Sequence, residues 1–238
     1  LGIAANDVVF IFVGRLVGDK GINELVAAFV ELRNANDELG SENYELGIRN
    51  YESEITNPQY HTEPVEVFGK LEDEITNSKL QTSNSKLQTK YSTLNTQHSK
   101  LLLVGPLETA LDPLLPETLQ EIATNKNIIS VGYQEDVRPY FAISNALVFP
   151  SYREGFPNVV LQAGAMGLPS IVSDINGCNE IISEGANGWV IPVKDTIAIK
   201  KAMERVLLNN ELYTKVASNS RRMVQDRFEQ QVVWEAIL

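Results

Sequence analysis

A chain of 238 residues with ordinary apolar and aromatic content has room for one large domain or two small ones, with ample core. Its net charge of −11 argues against a nucleic-acid surface, and no apolar run approaches the roughly 20 residues needed to span a bilayer. One cysteine, Cys178, excludes an internal disulfide; two histidines, His61 and His98, argue against a histidine-based metal site; and Leu1–Phe12 lacks a secretory signal, so a reducing, cytoplasmic setting is expected.

Asp7–Gly14 (DVVFIFVG) is a continuous apolar run ending in glycine, which is how a strand buried on both faces of a parallel sheet reads. Arg15–Gly21 (RLVGDKG) is a basic, glycine-containing loop. Ile22–Leu32 then carries apolar residues at helical spacing, so the three segments open a β-α-β unit. Gly40–Ser99 breaks this pattern. It is polar, and it repeats NSKLQT at Asn77–Thr82 and Asn84–Thr89, with one leucine per seven-residue step, too few for a stable coiled coil. It reads as a low-complexity insertion at about 40–99, with a partner-binding arm as the alternative. Order resumes with strands at Leu101–Gly105, Asn127–Gly132 and Ala146–Phe149, and helices at Thr118–Thr124 and Asp136–Ser144.

The stretch Phe149–Asp174 (FPSYREGFPNVVLQAGAMGLPSIVSD) reads as a strand end, a polar loop, a helix with Pro157 in its first turn, and a further buried strand at Pro169–Val172. The N–H groups of Asn158 and Val159 would face out of that helix start, which favours an anion. Gln162 lies one turn above Asn158 on the same face. The small residues Ala163, Gly164, Ala165 and Gly167 are expected to let the helix approach a sheet. A short helix at Asn179–Ser183, a strand at Gly188–Pro192, helices at Thr196–Leu208 and Glu211–Asp226, and a helix beginning at Gln230–Leu238 complete the chain. Strands alternating with helices give an α/β fold, an open doubly wound parallel sheet, whose ligands bind outside the carboxyl ends of the strands.

Taken in order, VGRLVGDKG, VGYQEDV, the stretch from Phe149 to Asp174, GCNEII and NGWVIP resemble the donor-nucleotide half of a GT-B glycosyltransferase, specifically the retaining glycosyltransferase family 4. The resemblance covers Asp7–Arg33 and Lys100–Leu238. It implies that Arg15 and Lys20 hold the donor diphosphate and stabilise charge on the leaving phosphate, and that Glu154 faces the sugar and phosphate. It places Gly14 against the phosphates, Gly132 and Tyr133 near the base, and the backbone of Phe156, Asn158 and Val159 along the donor. A solvated basic loop, a plain turn glycine and a packed surface tyrosine are the plainer readings of Arg15 and Lys20, of Gly14 and of Tyr133. The family's second glutamate, which bonds the ribose hydroxyls, is matched by Gln162. This is a departure: glutamine bonds a diol without charge, or it is simply a polar residue on an exposed face. Arg153 is a lesser candidate, for a phosphate or for pairing with Glu154. Asn179 and Glu180 match a structural segment explained by a buried helix-capping Asn, and Cys178 reads as a small core residue.

The resemblance further implies transfer of a sugar from a nucleotide-sugar donor, a UDP-sugar on family frequency, with retained configuration and without a metal or other cofactor. The setting it suggests is surface polysaccharide or glycan biosynthesis. The acceptor would be a glycan or lipid-linked sugar, held by an N-terminal acceptor domain that this chain is expected to lack, and the full-length enzyme could associate peripherally with a membrane. The alternatives are a truncated, non-catalytic nucleotide-binding module and a GT-B nucleotide-sugar epimerase. A dehydrogenase is disfavoured because no G-x-G-x-x-G follows the first strand, and a P-loop NTPase because Gly21, not Ser or Thr, follows Lys20.

Overall fold

A computed structural model describes residues 1–38, 98–110 and 112–229. The expected insertion and the helix expected at Gln230–Leu238 lie almost wholly or wholly outside these residues. Leu1–Arg33 and the described residues from His98 onward belong to one compact unit.

Six strands, β1 (Val8–Val13), β2 (Ser99–Val104), β3 (Ile128–Ser130), β4 (Ala146–Phe149), β5 (Ser170–Ser173) and β6 (Gly188–Ile191), form one sheet in the order β3-β2-β1-β4-β5-β6. Every pairing is parallel. The doubly wound α/β expectation is therefore met. The register sets Phe10 beside Leu101 on one side and Ala146 on the other. Helices cover both faces of such a sheet, so its central strands are apolar throughout. Phe10, Ile11, Phe12, Leu101–Leu103 and Ala146–Val148 are all fully buried. Phe12 and Phe149 stack with ring centroids 5.8 Å apart, tying β1 to β4.

Among the described residues the helices are α1 (Ile22–Glu38), α2 (Pro116–Thr124), α3 (Arg138–Ala142), α4 (Asn158–Ala165), α5 (Cys178–Ile181), α6 (Thr196–Leu208) and α7 (Asn210–Phe228). Several boundaries differ from the sequence reading, each for a local reason. Ser99, assigned to the insertion, is the first residue of β2, fully buried and paired with Val8. The second helix starts at Pro116, because a proline loses nothing where a helix's first N–H groups have no internal acceptor. The third is shorter than expected. The Asp136 carboxylate accepts from the Arg138 N–H at 3.0 Å and from its guanidinium at 2.8 and 2.9 Å, which makes a turn ahead of the helix. Pro157 precedes α4 as its cap rather than sitting in its first turn. Gly164 meets α7 instead of the sheet: a Cβ there would lie 2.6 Å from Val224 Cγ2. Two caps are side-chain made, with Asp195 accepting from the Ala198 N–H and Asn209 from the Leu212 N–H.

The strand order reverses between β1 and β4. Their following loops, Gly14–Gly21 and Pro150–Pro157, face one another across the carboxyl rim. In open α/β sheets this crevice is where ligands sit. No helix among the described residues is long and apolar enough to cross a membrane.

Candidate functional site

Two close approaches build the rim. A Cβ on Gly105, at the end of β2, would collide with the Gly14 carbonyl oxygen. The three strand ends therefore interlock: the Gly14 N–H donates to Val104 O at 2.9 Å and the Gly105 N–H to Gly132 O at 2.8 Å. Residues Gly18–Lys20 make one turn of 3-10 helix closed by Gly21, at φ 70°, whose N–H donates to Gly18 O at 2.9 Å. A Cβ on Gly21 would strike the Pro150 carbonyl oxygen. Glycine here suits the left-handed backbone and lets the turn bearing Lys20 sit against the loop that follows β4.

The result is a partly buried ionic contact between residues 134 positions apart. The Lys20 ammonium lies 2.6 Å from Glu154 Oε1, with the two side chains 15% and 18% exposed. The Ser151 hydroxyl, fully buried, donates to the same Glu154 oxygen at 2.8 Å and accepts from Lys20 at 3.5 Å. No motif marks Ser151 in the sequence; its place three residues before Glu154 is the available signal. The Cys178 thiol is buried close by. Burial, then the Glu154 charge, push its pKa up to about 12, with Lys20 opposing, so the thiol stays protonated.

Arg15 stands apart from that pair. Its guanidinium bonds Glu108 Oε2 at 3.1 Å, in the loop after β2. That loop runs alongside the one after β1: the Leu16 N–H donates to Pro106 O at 2.8 Å, and Leu16 and Leu107 form an isolated parallel bridge. Further along, Asp112 accepts from the Gly18 N–H through its carbonyl and from the Asp19 N–H through its carboxylate. Neither Glu108 nor Asp112 carried any sequence signal. Arg153 does not pair with Glu154; it reaches Asp19 at 3.5 Å. The neighbouring Tyr152 donates its phenol to Glu24 at 2.7 Å, beneath the Lys194 ammonium 4.7 Å from its ring centre. Burial and that carboxylate raise its pKa.

The remaining candidates surround this centre. Asn158 and Val159 open α4, where first-turn N–H groups have no internal acceptor. Phe156 is 44% exposed, tilted against Phe228 at 5.8 Å. Gln162 is exposed on α4 and lines an open cavity of about 630 Å³ with Glu135, Arg138, Phe141 and Met166. Gly132 turns the chain at φ 68°, and Tyr133 beside it is 73% exposed, so it packs against little. Asn179 is not a buried cap. It is exposed and donates to Asp174 at 2.9 Å, while the Glu180 carboxylate accepts from the Gly177 N–H at 3.3 Å. Among the described residues, no group of three or more His, Cys, Asp or Glu side chains is arranged to hold a metal ion.

Comparison with known proteins places this geometry in context. The capsular polysaccharide biosynthesis glycosyltransferase CapM of Staphylococcus aureus is 28% identical over 138 residues, which cover 58% of this chain and 36% of CapM. The Escherichia coli UDP-Gal:alpha-D-GlcNAc-diphosphoundecaprenol alpha-1,3-galactosyltransferase is 30% identical over 103 residues, covering 43% of this chain and 26% of that protein. The chain thus spans about a third of the length of the curated relatives it matches, or less. The crystal structure of Anabaena HepE in complex with UDP and glucose shares the fold at a TM-score of 0.64 and 16% identity, over 98% of this chain and 48% of HepE. Residues 85–209, more than half of the chain, match the family described as "Glycosyl transferases group 1", and to that family the chain belongs.

Proposed function

We propose that this chain forms the nucleotide-sugar-binding half of a retaining glycosyltransferase of family 4, which transfers a sugar from a UDP-sugar to a glycan or lipid-linked acceptor in surface polysaccharide or glycan assembly. The observation that carries this reading is the Lys20–Glu154 contact at the point where the strand order reverses. An ammonium held there suits a diphosphate, as does the start of a helix such as α4. Lys20 has three N–H bonds, of which Glu154 takes one and Ser151 a second; the third serves a phosphate oxygen. Arg15 adds a second cation.

When the sugar departs, negative charge gathers on the distal phosphate, and fixed cations with helix-start amides lower the energy of that state. Glu154, held by Oε1, faces the sugar with its other oxygen. Gln162 bonds the ribose, and Gly132 and Tyr133 border the base. The relatives support the reading through what their names say of them: capsular polysaccharide for CapM, a UDP-galactose donor and a diphosphoundecaprenol-linked acceptor for the E. coli enzyme, UDP and glucose in HepE.

Calorimetric titration with UDP, GDP and ADP tests it. UDP is expected to bind, and Lys20→Ala is expected to weaken binding roughly tenfold or more, the worth of one charge-assisted hydrogen bond. Arg15→Ala should weaken it as well. Failure of all three nucleotides to bind the unaltered chain would end the proposal.

A further inference from the structure

Three cations beside the crevice each face a carboxylate. Lys20 faces Glu154 at 2.6 Å, Arg15 faces Glu108 at 3.1 Å and Arg153 faces Asp19 at 3.5 Å. The whole chain carries −11. An arriving diphosphate therefore competes with a resident carboxylate at each of these three.

The pairs are not equally easy to open. Lys20 and Glu154 are 15% and 18% exposed and share Ser151, so separating them strands a charge out of water. Arg15 and Glu108 are 49% and 33% exposed and joined by one hydrogen bond, and such a pair is weak and exchanges readily with solvent. The backbone that carries Glu108 is tied to the loop after β1: its N–H donates to Leu16 O at 3.4 Å, and Leu107 before it bridges to Leu16.

We infer that Glu108 is a resident competitor for Arg15: it holds the guanidinium between turnovers and sets donor affinity by the work of releasing it to the diphosphate. Like the proposal above, this rests on Arg15 meeting that diphosphate. Lys20 remains the fixed cation, Arg15 the exchangeable one, and Glu108 lowers affinity and thereby favours release of the nucleoside diphosphate product.

Removing one negative charge beside Arg15 should tighten binding. Titrations with UDP and with inorganic pyrophosphate are run on the chain and on its E108Q, R15A and E108Q/R15A variants at low and high salt, with melting curves for each. The E108Q variant is expected to bind both ligands roughly two- to fivefold more tightly at low salt, the span that an exposed ion pair allows. The gain should shrink at high salt and vanish in the R15A background. Equal or weaker binding by a folded E108Q protein overturns the inference. So does a gain that survives in full without Arg15, because Glu108 would then act on the ligand alone. No binding of UDP, GDP, ADP or pyrophosphate by any variant overturns the donor-site reading itself, and this inference with it.

Discussion

At the scale of single residues, the Lys20–Glu154 contact separates stability from binding. Lys20→Ala leaves the Glu154 carboxylate mostly buried beside only Ser151, so a lower melting temperature is expected along with weaker UDP binding. Adding Glu154→Gln removes the stranded charge. The double variant should regain most of the lost melting temperature and none of the lost affinity, which paired melting curves and titrations would read. Tyr152 makes a prediction about alkali. Its pKa is raised in the folded chain by burial and by Glu24, so above the unfolded value of roughly 10 the unfolded state loses its proton first. Stability is therefore whole below that pH and falls as pH rises beyond it. Tyr152→Phe gives up the bond to Glu24, yet its stability should decline less between pH 9.5 and 11 in denaturant titrations.

At the scale of elements, the turn between α5 and β6 hangs on one buried amide. Asn187, 3% exposed, accepts from the Ser183 N–H at 2.8 Å and donates to Ile181 O at 3.1 Å, while its own carbonyl accepts from Ser220 of α7. Asn187→Ala is expected to cost about 1–3 kcal/mol, seen as a lower denaturant midpoint with an unchanged slope. The strands were legible beforehand because a parallel sheet covered on both faces demands continuous apolar runs, and DVVFIFVG, LLLVG and ALVF are such runs. The end of α1 was not, because its apolar spacing stops near Leu32 while the helix continues through polar residues to Glu38. Lys20 and Glu154 could be named because each lies in a compact motif at a strand end. Glu108 and Asp112 could not. Their roles come from two loops lying side by side, which no local spacing records. Ser151 was within reach but its direction was not, since three positions along a loop do not say which way a hydroxyl points.

At the scale of the whole molecule, every candidate contact belongs to one rim of the sheet. Hydrogen exchange with saturating UDP should slow amides within residues 14–21, 132–137 and 151–162. It should leave Lys100 and Asn127, at the amino ends of their strands, unchanged. Slowing at both rims would mean general tightening in place of local binding. The central position of β1 has a consequence of another kind. The Val9 N–H donates to Asn145, 136 positions away, and the other edge of the strand pairs with β2 from Ser99 onward. β1 must wait for partners synthesised far later. Contacts of such long sequence separation are slow to form, because the loop entropy is lost before they repay it. Until β4 arrives, the run from Val9 to Phe12 has no neighbour on that edge to cover it, and chaperone occupancy during synthesis should be greatest in that interval.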